Sequence, residues 1–135
     1  MKRLIGAYAL LAIAGCATTP LPAERADPVP AKRLHAFQQQ TADSAVLVVT
    51  RDKGFTGSAC NTLLTVDGQL AAEIASGESA RFYIPAGDVI LGVNSTSMCG
   101  GGLKEREVKL VAGKPKRYRI SIDTSFSMDL SPTAM

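Results

Sequence analysis

From Ser44 to Leu130 the chain repeats one pattern: a short run of strand character, then a turn. Successive side chains of a strand point to opposite faces, so apolar residues at every second position mark a half-buried strand. The cleanest case is Arg117 to Ile122, where Tyr118, Ile120 and Ile122 share one face and Arg117, Arg119 and Ser121 the other. Ala45 to Val49 is apolar throughout, which predicts a strand buried on both faces. Arg51-Asp52-Lys53-Gly54 and Gly57-Ser58 then mark a loop. Cys60 to Val66 and Gln69 to Ile74 flank Asp67-Gly68, a pair suited to the positive φ angles of a two-residue hairpin. Phe82 and Ile84 are expected inward, Pro85 to Asp88 forms the next turn, and Val89 to Val93 the next apolar strand. Val108 and Leu110 alternate with Glu107 and Lys109, and Phe126, Met128 and Leu130 recur every second residue. Residues 41–135 therefore read as one all-β domain, a small antiparallel β-sandwich of about seven to eight strands.

What precedes that domain reads differently. Lys2 and Arg3 form a positive head, and Leu4 to Ile13 is almost wholly apolar but too short to span a bilayer. Small residues, Ala14 and Gly15, then lead into Cys16, so residues 1–15 have the layout of a signal peptide. Ile13-Ala14-Gly15-Cys16 resembles the lipobox of bacterial lipoproteins. That likeness implies that Cys16 becomes the first residue of the mature chain and carries acyl groups such as palmitate. Two or more buried acyl chains make a stable anchor. Ala17 stands where an aspartate would resemble an inner-membrane retention signal, so the expected address is the outer membrane, with the domain in the periplasm. No other cofactor is expected.

Residues 16–40 are expected to connect anchor and domain. Pro20, Pro22, Pro28 and Pro30 block regular structure and suggest an extended tether that lifts the domain off the membrane. Ala31 to Gln40 has good helix formers after a proline, with Leu34 and Phe37 three apart, which predicts a short helical connector. His35, the single histidine, falls there as a surface or packing residue.

Export gives the cysteines their meaning. With Cys16 taken by lipid, Cys60 and Cys99 remain, and a pair in an oxidising compartment predicts a structural disulfide. The formal charge is +3, and loss of Lys2 and Arg3 with the leader leaves +1, which excludes the strongly basic surface of a nucleic-acid binder. Asp52, Asp67, Asp88, Glu105 and Glu107 fall on turns or outward strand positions, where carboxylates serve solubility and turn geometry. No nucleophile–base set, metal-ligand spacing or phosphate loop accompanies them, so no catalytic residue, metal or small-molecule substrate is expected. Lys114, Lys116, Arg117 and Arg119 form the one basic cluster, and Arg117 and Arg119 projecting together make a candidate contact for an anionic partner. Ser97, Met98 and Gly101, in the glycine-rich loop that a Cys99 bridge would pin, are the other candidate binding residues.

The run VDGQLAAEIASGESARFYIPAGDVILGV, with LHAFQQQTADSAVLVVTRD before it and AGKPKRYRISID after it, resembles PEGA-like modules. It is similar to a family of bacterial lipoproteins that carry a domain of unknown function, over about residues 31 to 124. The first strand departs from the family's tyrosine-rich pattern, reading Val46-Leu47-Val48-Val49. The resemblance implies a small sandwich displayed at the envelope and carries no catalytic residues onto this chain. Two functions follow as expectations. One is a lipid-anchored structural or interaction module that binds another envelope protein. The alternative is an inhibitor-like protein that plugs a foreign enzyme such as a lysozyme with the loop around Ser95 to Gly102.

Overall fold

A computed structural model describes residues 17–96, 99 and 101–135. Nine strands follow in chain order: β1 Asp27–Pro28, β2 Ser44–Arg51, β3 Thr62–Val66, β4 Gln69–Ile74, β5 Glu78–Pro85, β6 Gly87–Ser95, β7 Lys104–Leu110, β8 Lys116–Ile122 and β9 Met128–Pro132. They form a sandwich of two sheets, ordered β1-β5-β2-β8-β9 and β4-β3-β6-β7. The all-β sandwich expected from the alternation is thus present. The four-stranded sheet is antiparallel, but the five-stranded sheet is mixed, because β1 runs parallel to β5 and β2 parallel to β8. Between β2 and β8 the chain crosses to the other sheet and back twice, through β3-β4 and through β6-β7, and β8 arrives beside β2 in the same direction. Periodicity reports which face a residue occupies and not strand direction, which is why this was not legible.

The inward faces match the alternation. Leu47, Val49, Phe82, Ile84, Ile120, Ile122 and Leu130 from one sheet meet Leu64, Ile74, Leu91, Val93, Val108 and Leu110 from the other, all buried. Asp67 and Gly68 both take positive φ, 48° and 79°, so the hairpin twists with its strands. Phe126 is a correction: it does not continue the β9 stripe. It sits at φ 65° in the turn before β9 and is exposed, while Met128 and Leu130 are buried.

The connector helix is also corrected. Only Ala31–Arg33 forms a turn of 3-10 helix, and Leu34 is already extended. Leu34 bridges to Ala72, the His35 amide donates to the Ala71 carbonyl at 2.8 Å, and the Tyr83 amide donates to the Phe37 carbonyl at 2.8 Å. The margins of β4 and β5 would otherwise leave backbone groups unpaired along this side of the sandwich, and an extended segment satisfies them where a helix could not. Leu34 and Phe37 still reach the core, and the His35 ring meets the Glu73 carboxylate at 2.9 Å at the surface.

The proline-rich segment does not stand off as a tether. It is strapped to the domain. The Thr19 amide donates to the Lys53 carbonyl (2.8 Å) and the Lys53 amide returns a bond (3.0 Å). Glu24 meets Arg117, β1 pairs with β5, and Val29 enters the core. Prolines suit this path, because the strap needs few donors where it crosses side chains rather than a ladder. Its cover explains why β2 is buried on both faces: Val48 and Thr50 point outward from the sandwich and are nonetheless buried.

Candidate functional site

Of the candidate residues, Cys16, Ser97 and Met98 lie outside the described residues. Cys60 and Cys99 are joined by a disulfide, with 6.2 Å between Cα atoms, which ties the loop after β2 to the loop after β6. Gly101 holds φ 81°, and a Cβ there would come within 3.1 Å of the Phe126 carbonyl. The cysteine loop therefore packs on the turn before β9. The space between them, lined by Gly57, Ser95, Cys99, Ile122, Phe126 and Met128, is about 10 Å³, room for one water at most.

The basic cluster is divided by its partners. Arg117 and Arg119 share the outer face of β8, as the alternation predicts, but both meet carboxylates. Arg119 grips Asp52 with two parallel bonds, Nε to Oδ1 at 3.0 Å and Nη2 to Oδ2 at 2.5 Å. That hydrogen bonding raises the Arg119 pKa above its ordinary value. Asp52 is 1% exposed and also accepts from the Thr18 hydroxyl at 3.1 Å, which corrects its reading as a surface turn residue. The Thr18 hydroxyl in turn accepts from the Ile122 amide at 3.0 Å. Asp52, held by Arg119, thus fixes the strap to the sheet. Arg117 donates to Glu24 at 2.7 Å in a solvent-facing pair. Lys114 is exposed and Lys116 half-buried.

A residue that sequence reasoning missed completes the more open part of this surface. Val48 is directly opposite Arg81 on β5 and Arg117 on β8, so the row Arg81–Val48–Arg117 crosses the outer face. The strap roofs this row and leaves a cleft of about 330 Å³, lined by Glu24, Pro28, Val48, Ser79, Arg81 and Arg117 among others. The Arg81 guanidinium is exposed and makes no hydrogen bond or ion pair among the described residues. The neighbourhood of Arg81 and Arg117 depends on the strand order β5-β2-β8, which no local pattern encodes.

Three further charged groups support this architecture. Arg51, expected in a loop, ends β2 fully buried. Its Nη1 donates to the carbonyls of Cys60 (2.7 Å) and Ile74 (2.9 Å), and its Nη2 to Gly57 (2.8 Å). A signal was present: Arg51 continues the inward phase of Leu47 and Val49. Near it, Arg33 and Glu78 form two bonds of 2.7 and 2.6 Å, and the Ala75 amide donates to Glu78 at 2.8 Å. Burial alone pushes the Glu78 carboxyl up. The Arg33 and Ala75 bonds, with the charges of Arg33 and Arg51, outweigh it and hold the pKa below the ordinary 4.5.

Comparison with protein-family models and with curated proteins finds no match to this chain.

Proposed function

We propose that this protein is an envelope lipoprotein, anchored in the outer membrane through acylated Cys16, whose periplasmic sandwich is a non-catalytic interaction module. Its partner on this reading is an acidic segment of another envelope protein, seated in the strap-roofed cleft. The observation that carries the reading is the Arg81–Val48–Arg117 row. A guanidinium offers a planar fork matched to a carboxylate, and Val48 between the two forks supplies an apolar floor. Glu24 on the strap already places a carboxylate on Arg117, so the cleft accepts the chemistry proposed for the partner. The PEGA-like likeness and the lipobox likeness support the same placement at the envelope.

Crosslinking and pull-down from intact envelopes tests the reading, using the native protein, Cys16→Ser and Arg81→Glu. Native protein is expected to capture an envelope protein through a crosslink that maps beside the cleft, and Arg81→Glu to lose it. Capture by Cys16→Ser as well would assign recognition to the sandwich alone. A partner retained by Arg81→Glu at native yield would sink the cleft as the site.

A further inference from the structure

The strap fixes how far the domain can stand from the residue proposed to carry the lipid. Thr18 is bonded to Ile122 and Asp52, and Thr19 to Lys53, all where β2 and β8 end. Two peptide units separate Thr18 from Cys16, so an anchor at Cys16 lies within about 7 Å of this end of the sandwich. Such an anchor leaves little slack. The end of the domain that carries Thr18 must then lie against whatever surface holds the lipid.

That end also bears exposed aromatic side chains. Phe55, in the loop after β2, is 91% exposed. Its neighbour Gly54 is so close to the strap that a Cβ there would come within 3.0 Å of the Thr18 Cα. Phe126 is 47% exposed in the neighbouring turn, which packs near Gly57. The Phe126 turn is firmly built: one oxygen of Asp123 accepts from the Ser125 amide, the Ser125 hydroxyl and the Ser127 amide, and the Phe126 amide donates to the Asp123 carbonyl. Lys53 is exposed beside Thr19 and offers a cation at the same level. Single exposed apolar residues are ordinary on a soluble domain. Here two aromatics, a lysine and the root of the anchor coincide at one end, which is the composition of a membrane-interface contact.

We infer that the anchored domain docks end-on against the bilayer, with Phe55 seated among the lipid headgroups and acyl ends, Phe126 beside it, and Lys53 facing lipid phosphate. This rests on the proposed acylation of Cys16. Anchor and aromatic then form two points of attachment. The opposite end, with the Asp67-Gly68 hairpin, is held away from the membrane, and the Arg81 cleft opens sideways, parallel to its plane.

The chain contains no tryptophan, so one introduced tryptophan reports alone. Full-length Phe55→Trp and Leu70→Trp proteins, made with their own leader and lipidated in a bacterial host, are reconstituted into vesicles of phosphatidylethanolamine and phosphatidylglycerol with brominated acyl chains. Leu70 is exposed in β4 beside the hairpin at the far end. Intact mass first reports the acyl groups. With the acyl mass present, Phe55→Trp emission is expected to be quenched several-fold more than Leu70→Trp emission. Equal quenching, or none at Phe55→Trp, with the acyl mass present would overturn end-on docking and leave the anchor standing. Absence of the acyl mass would overturn the anchor and the docking together.

Discussion

Arg51 is the residue on which the Cys60 end of the sandwich converges. Burial lowers its pKa from the ordinary value and the charge of Glu78 opposes that shift, yet an arginine stays protonated at any working pH. Its three carbonyl partners come from the loop after β2 and from the end of β4, so one side chain closes two connections. Arg51→Met removes all three donors at once and leaves buried acceptors unpaired, which is expected to destabilise the oxidised protein by about 3–5 kcal/mol. Arg51→Lys keeps the charge without the fork and should fall between. Urea unfolding of the three proteins checks this, and a loss below about 1 kcal/mol for Arg51→Met would mean that water replaces the guanidinium. Glu78 makes a prediction about pH. Its folded-state pKa lies below its unfolded value, so its contribution is fully present above about 4.5 and is lost as pH falls through the lower folded value. The difference in melting temperature between native protein and Glu78→Gln is therefore expected to be constant near neutral pH and to shrink below about pH 4.5. A difference that grows on acidification would reverse the sign and refute the assignment.

At the scale of elements, the disulfide and the strap do what the small core does not do alone. Cys60 and Cys99 close a loop of sequence separation 39. The chain-entropy estimate for such a loop is about 4 kcal/mol, so the double variant Cys60→Ser, Cys99→Ser should lower unfolding free energy by roughly that amount in guanidinium titration. A loss much smaller than that would show that the unfolded chain is already restrained around this loop without the bridge. The strands and the Asp67-Gly68 hairpin were legible because each is written locally, in alternation and in turn chemistry, and the cysteine pairing followed from the expectation of export. The strap was not. Pro20 to Pro30 carries no period, and composition alone cannot distinguish a proline-rich segment in solvent from one laid across Val48 and Thr50. The connector departs from the expected helix for a related reason: Leu34 and Phe37 at a spacing of three fit a helix, but an extended chain with Phe37 at φ 61° puts both into the core as well. Asp52 and Arg119 looked like surface charges because their partnership spans |i−j| = 67.

For the molecule as a whole, the order of assembly follows from sequence separation. The β3–β4 hairpin closes across two residues, and the β2–β8 pairing joins Leu47 to Lys116 only after the intervening strands have been placed. The strap bond between Thr18 and Ile122 spans |i−j| = 104. Loop-closure entropy grows as (3/2)RT ln n, so closing the strap onto an unformed sheet costs about 3 kcal/mol more than closing a hairpin. The Thr18 hydroxyl also needs Asp52 and Ile122 already in position before it gains anything. The strap should therefore dock after the folding transition state, and the sandwich should fold without it on the millisecond-to-second scale of other β-sandwiches. Thr18→Val keeps the shape and removes both hydroxyl bonds, a loss of about 1–2 kcal/mol. If docking is late, nearly all of that loss appears as faster unfolding, with the folding rate unchanged, a φ-value near zero. Val49→Ala, at the centre of β2 between β5 and β8, should instead slow folding. Stopped-flow folding and unfolding of the disulfide-intact proteins separates the two, and a Thr18→Val protein that folds slower by the full loss would place the strap in the nucleus instead.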